Sequence, residues 1–293
     1  NCVGPPQYPY PDYTIFGNGH IAIQTASTSI LGGSTIMLFD LSGTLPVDTA
    51  FPLNRYSHPS WGHPNNDPAP DMGSIFGLAV DEAGNIYVTT SQTWNNDVVG
   101  SYGWGAVYKV DTNTAIPELF ATIPMPNSES GLGSITYDCE HSQFFVSSFE
   151  DGIIYQLDYT TGAITGTFDH GNIYTGNSGP APLGDRPWAL EVHGDYLYYS
   201  LWNEHQDTGA ASTANEIWSV ALDVYGDPIL GTSQLEISLP AYSSYDWSSP
   251  VSDIDFSPEG TMFVSERNQT SFTTLLAHKS RLLEYECTTS GWI

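Results

Sequence analysis

The chain has 293 residues, 40% of them apolar, enough to bury a core and too many for a disordered tail or a disulfide-stapled miniprotein. Six Lys and Arg stand against 33 Asp and Glu, a formal net charge of −27. So few cations cannot neutralise phosphates or hold an anionic membrane surface, which excludes nucleic-acid binding and electrostatic membrane attachment.

No apolar run is long enough to insert across a bilayer as a helix. The opening Asn1-Cys2-Val3-Gly4 has no initiator Met and no signal-peptide pattern, and reads as a processed terminus or a piece of a longer chain. Five similar phrases then follow, each a strand, a tight turn, a second strand ending in small or polar residues, and a third strand. The first is Tyr13–Phe16, the turn Gly17-Asn18-Gly19, His20–Gln24 and Thr35–Asp40. The second is Ile75–Asp81, the turn Glu82-Ala83-Gly84, Asn85–Thr90 and Ala106–Asp111, with Ile116–Phe120 as its fourth strand. The third is Ser134–Asp138, Phe144–Ser148 and Ile153–Asp158. The fourth is Trp188–Val192, the turn His193-Gly194-Asp195, Tyr196–Ser200 and Glu216–Asp223, with Leu235–Leu239 as its fourth strand. The fifth is Asp253–Phe256, the turn Ser257–Gly260, Thr261–Ser265 and Arg281–Tyr285.

Anchoring the second strands on Ile23, Val88, Val146, Tyr199 and Val264 gives steps of 65, 58, 53 and 65 residues. Apolar strands at this period, with no helical periodicity, predict an all-β fold: a β-propeller of about five four-stranded blades over residues 1–293, or six if sequence outside this chain closes it. A β-sandwich does not explain like turns at five comparable places. Ile86, Val88, Phe145, Tyr198 and Phe263 are expected between blades. The phrase Gly77-Leu78-Ala79-Val80-Asp81-Glu82-Ala83-Gly84-Asn85-Ile86-Tyr87-Val88, with the turn Ser257-Pro258-Glu259-Gly260, resembles NHL-type and SMP-30-type propeller repeats. The resemblance implies the fold. Where the NHL pattern places an Asp two residues past the anchor, this chain has Thr90, Ser148, Leu201 and Glu266, and the lactonases' metal ligands have no residue-by-residue match.

The ring must close, because an open ring leaves sheet edges unpaired. The segment Asn1–Tyr10 is expected to supply the last blade's outer strand, bringing Cys2 beside Cys287 in a disulfide and leaving Cys139 unpaired. Asn268-Gln269-Thr270 is a glycosylation sequon.

Loop lengths map function onto one face. Turns between first and second strands are short, whereas the loops on the opposite face are long and polar-aromatic, which is where recognition usually resides. Trp61, Trp94, Trp104, Trp188, Trp202 and Trp247 fall in or beside them, joined by Asn203 and Glu204. Such tryptophans stack on sugar rings or anchor loops from beneath, and both readings stand. Asn65, Asp67 and Asp71, and Asn95 with Asp97, supply hard oxygens for calcium or simply turn chemistry. His58, His63, His170 and His205 lack tight zinc spacing. Glu150, Asp151, Asp185, Glu204, Asp207 and Glu266 include enough carboxylates for a glycosidase pair. Arg186, beside Asp185, is expected to pair with a carboxylate.

These features predict a secreted or cell-surface, non-enzymatic binding or assembly module. Its expected ligand is a glycan or an extracellular protein, copies of itself included, with calcium as candidate cofactor. The alternatives are a carbohydrate-active enzyme with axial carboxylates and a metal-dependent lactonase-like enzyme.

Overall fold

Short Asx turns fix where the strands begin and end. Asp111 and Asp158 each accept hydrogen bonds at one carboxylate oxygen from the backbone N–H two and three residues on, the local geometry that Asp favours in turns. The computed structural model describes residues 21–25, 33–40, 55–63, 69–92, 98–127, 130–171, 174–176, 178–204, 213–240, 248–271, 274–275 and 280–293.

Among these residues three sheets have four antiparallel strands in chain order. They comprise Ile75–Val80, Ile86–Thr90, Ala106–Val110 and Pro117–Thr122; then Leu132–Asp138, Gln143–Ser148, Ile153–Asp158 and Ile164–Asp169; then Pro187–His193, Tyr196–Leu201, Glu216–Ala221 and Gln234–Ser238. A three-stranded sheet precedes them (Ile21–Thr25, Ile36–Asp40, Arg55–Tyr56) and another follows (Val251–Phe256, Met262–Glu266, Leu282–Tyr285). First strands of consecutive sheets pack side by side around one axis. The fold is a β-propeller, and the four-strand blade is complete three times among the described residues.

Apolar side chains from both faces of each sheet fill the gaps between neighbours. One cluster (Ile36, Leu38, Val88, Tyr108) lies between the first and second sheets, and Tyr87, Ile135, Phe144 and Val146 gather between the second and third. Phe145, Leu190, Leu197 and Tyr199 do the same between the third and fourth, and Ala189, Ile217, Ile254 and Val264 between the fourth and fifth. Ile86, Val88, Phe145 and Tyr198 are buried as expected, whereas Phe263 is half-buried.

A repeated hydroxyl latch joins the blades. Thr25 donates to Phe76 O (2.8 Å), Thr89 to Gly133 O (2.6 Å), Ser147 to Trp188 O (2.6 Å) and Ser200 to Val251 O (3.0 Å). Thr25 ends the strand Ile21–Thr25, the other three donors sit at the end of their sheets' second strands, and each acceptor lies in the next sheet's first strand. The same oxygens of Thr89, Ser147 and Ser200 accept the N–H groups of Gly77, Ser134 and Ala189, freed by a bulge in each hydroxyl's own first strand. A Cβ at Gly77 would meet Thr89 Oγ1 at 2.5 Å and Gly133 O at 2.8 Å, so the approach requires glycine. Replacing Ser147 by Ala strands one buried N–H and one buried carbonyl. We expect a loss of about 2–4 kcal/mol in urea unfolding, since each unsatisfied group costs roughly 1–3 kcal/mol; a change within error would show that the latch contributes nothing.

Two sequence expectations are corrected. Cys287 is a free, exposed thiol and Cys139 is disulfide-bonded, so the Cys2–Cys287 bond with Cys139 unpaired does not form. The reason is the C-terminal course: Cys287–Thr288 pairs with Gly291–Trp292, and the Trp292 indole donates to Glu236 at 3.0 Å, folding the tail onto the fourth sheet. The partner of Cys139 lies outside the described residues, as does the expected strand Asn1–Tyr10. Asn268 is fully buried and donates to Ser249 Oγ at 2.6 Å, so a glycan has no room on it.

Candidate functional site

The axis differs at its two ends. Where the first strands begin, Phe76 and Trp188 meet edge to face at 5.1 Å, and Phe149, Trp202 and Leu183 complete an apolar plug. Arg186 covers Trp202 at 4.9 Å and Arg267 covers Phe76 at 5.1 Å. Where the first strands end, the axis is hollow. A cavity of about 310 Å³ is lined by Leu78, Val80, Ile135 and Leu190, and by Glu82, Thr136, Glu191 and Asp253. Cys139 also lines it, so the disulfide stands at its wall. The cavity lies toward the short-turn face, opposite the long loops.

Its carboxylates have unusual proton affinities. Glu191 accepts from Thr136 Oγ1 at 2.8 Å through one oxygen. Burial, together with the charges of Asp255 and Asp253, pushes its pKa up to about 8 against the relief that Thr136 provides. Asp253 is open to the cavity yet ringed by protein, and burial plus the neighbouring Asp255 raise it to about 6. At neutral pH Glu191 is therefore protonated while Asp253 is ionised. That pairing suits holding a cation or exchanging a proton.

The residues singled out in the sequence are placed elsewhere. Trp61, Trp188, Trp202 and Trp104 are buried, the first three almost completely. The Trp61 indole donates to Ala115 O at 2.8 Å and the Trp202 indole to Ser248 Oγ at 2.8 Å. All four anchor the structure and present no open ring face to a sugar. Trp94, Trp247, Asn65, Asp67, Asn95 and Asp97 lie outside the described residues. Asp71 accepts from Gly73 N at 2.9 Å, an Asx turn. Among the described residues no three or more His, Cys, Asp or Glu side chains gather as a metal-holding group.

Asn203 and Glu204 are structural. The Asn203 amide donates to Ala214 O at 2.9 Å, and the Glu204 carboxylate accepts from Ser249 N. Glu150 likewise accepts from the backbone N–H groups of Asn127 and Ser130. Glu266 is bound by Arg281. Glu150 and Glu204 hold loops that enter first strands and Glu266 holds Arg281 ahead of its sheet's third strand, roles that remove them from the expected glycosidase pair. Arg186 is buried and donates to Ala181 O through Nε (2.8 Å) and Nη2 (2.6 Å) instead of pairing with a carboxylate. Burial without a counterion lowers its pKa to about 10.

Glu191 and Asp253 were not singled out in the sequence, although a signal exists. Glu191 is a lone acid within the otherwise apolar Trp-Ala-Leu-Glu-Val, Asp253 alternates with Asp255 in Asp-Ile-Asp-Phe, and both segments are first strands, which are the axial ones.

No family model matches the chain. No curated protein matches it either. Among solved structures, the chain is similar to the crystal structure of a nidogen/laminin complex, with a TM-score of 0.50 and 12% identity over 90% of this chain and 77% of that one. It is also similar to Kuenenia stuttgartiensis hydrazine synthase (TM-score 0.46, 13% identity, 87% and 58% covered) and to the β-propeller domain of Myceliophteria thermophila Cps50 (Swd1) (0.43, 14%, 85% and 64%). At these identities the likeness concerns the fold alone.

Proposed function

We propose that the protein is a non-enzymatic binding module whose ligand enters the axial cavity from the short-turn face. The cavity carries the reading: it is preformed on a rigid ring, has apolar and acidic walls, and is stopped at its far end by the aromatic plug. The engagement of Glu150, Glu204 and Glu266 in holding loops supports binding over chemistry on the long-loop face.

An acidic chain rich in uncharged polar residues supports a secreted or cell-surface setting. Val224, Tyr225 and Leu230, exposed on the turn after the fourth sheet's third strand, support a protein partner or a second copy. Trp94 and Trp247 remain the proposed contacts for a glycan. Calcium at Asn65, Asp67 and Asp71, or at Asn95 and Asp97, is proposed as a stabiliser of the long loops. Chelation is then expected to lower the melting temperature and added calcium to restore it, by linkage; an unchanged melting curve leaves the Asx-turn role alone.

The staggered proton affinities of Glu191 and Asp253 favour one second reading, an axial hydrolase with Glu191 as acid and Asp253 as base. A glycoside and lactone panel separates the two. The binding reading expects no turnover, with or without calcium. Product release that Glu191→Gln abolishes would replace it with the hydrolase.

A further inference from the structure

We propose that the axial cavity binds a primary ammonium group carried on a short aliphatic stem. The proposal rests on the cavity being the ligand site and adds the chemistry that it selects.

The walls are of two kinds. Leu78, Val80, Ile135 and Leu190 supply an apolar side, while Asp81, Glu82, Glu191 and Asp253 supply an acidic one, and no Lys, Arg or His is among the described lining residues. An anion is repelled by such a site. A bare calcium ion takes six to eight oxygens and gains nothing from Leu78 and Val80. A neutral sugar gains little from a wall with four carboxyl-bearing residues.

An alkylammonium matches both sides: N–H donors for the acids, and methylenes for the aliphatic wall. Unfilled acceptors point the same way. Thr136 donates to only one oxygen of Glu191, and among the described residues no side chain donates to Asp253. The volume of about 310 Å³ equals roughly ten waters, enough for a stem of several carbons. The chain contributes only two lysines of its own, and its net charge of −27 draws cations toward any acidic mouth.

The ammonium has two possible sources, a free small amine and a lysine side chain of another protein, and they share this chemistry. Protons compete with it. Glu191 is faced by Thr136 and Tyr137 on the third sheet's first strand, by Asp253 and Asp255 on the fifth sheet's, and by Asp81 and Glu82 at the end of the second sheet's. Removing the protons of Glu191 and Asp253 strengthens the site, while an alkylammonium keeps its own proton until well above neutrality.

The test is calorimetric titration of the whole chain with n-butylammonium chloride, with n-butanol, calcium chloride and N-acetyl-lysine methylamide as parallel arms. Butylammonium is expected to saturate, with affinity at least about tenfold higher near pH 8.5 than near pH 5.5. The double variant Glu191→Gln/Asp253→Asn is expected to lose the response while melting no lower than the parent, so the loss is not unfolding. Equal binding of the acetyl-lysine derivative assigns the site to lysine side chains, and binding of butylammonium alone assigns it to free amines.

No saturation by butylammonium overturns the proposal, as does a matching response to butanol, which shows an apolar hole, or to calcium, which shows a metal site. If butylammonium fails while another ligand titrates without turnover, the binding-module reading survives and only the ligand class falls.

Discussion

Replacing Arg281 by Met is expected to destabilise the fold by about 3–5 kcal/mol, the usual consequence of stripping the partner from a buried charge. Glu266 is buried at the end of its strand, and Arg281 reaches both of its oxygens through Nε and Nη2 while Nη2 also donates to Pro240 O at 3.0 Å. Burial still raises the Glu266 pKa against the guanidinium, and the Glu204 carboxyl, itself raised by burial, feels the charge of Glu266. Without Arg281 the buried Glu266 loses its counterion while its repulsion with Glu204 stays. Adding Glu266→Gln to the variant is expected to recover most of the loss, because a neutral amide needs no counterion. The single variant's deficit is expected to shrink toward acid pH, where Glu266 takes up a proton. Urea unfolding of the three proteins near neutral pH measures the cycle, and a single-variant loss below about 1 kcal/mol would place Arg281 among ordinary surface pairs.

The strands were legible because two local signals agree: apolar residues on axial and inter-blade positions, and Asp-led turns such as Asp81 and Asp158. The fourth strand Ile164–Asp169 was not read, since four of its residues are exposed or half-exposed polar or small and its pairing with Ile153–Asp158 is irregular. The latch residues Thr89, Ser147 and Ser200 were visible only as strands ending in small or polar residues; their meaning depends on a carbonyl more than forty residues away. The long-loop face misled for a physical reason. Tryptophans and acids in loops look alike whether they meet ligand or hold backbone, and Trp61, Trp202, Glu150 and Glu204 hold backbone or core. The axial acids needed the fold first, because only a ring brings Glu191 and Asp253, sixty-two residues apart in sequence, to one cavity.

Glu191→Gln is expected to stabilise the protein above neutrality and to leave it unchanged in acid. The Glu191 pKa rises from its ordinary 4.5 to about 8 on folding. Between those values the native state holds a proton that the unfolded chain has lost. Stability therefore falls as pH rises through this window, and the full penalty is present above about pH 8. Gln removes the titration and keeps an oxygen for the Thr136 hydroxyl. Each tenfold change in proton affinity corresponds to about 1.4 kcal/mol, and hydration of the open cavity reduces the sum, so a gain of about 2–3 kcal/mol near pH 8.5 is expected. Near pH 4.5 the two proteins should melt together. Asp253 ionises first, while Glu191 is still protonated, so its own rise to about 6 is assigned to burial and Asp255. Asp253→Asn should consequently lower the Glu191 pKa, so that stability stops falling at a lower pH than in the parent and the plateau beyond lies higher. A parallel offset between Glu191→Gln and the parent at every pH would mean that Glu191 does not titrate in this window, and the axial cavity would then lack the paired acids on which its cation binding depends.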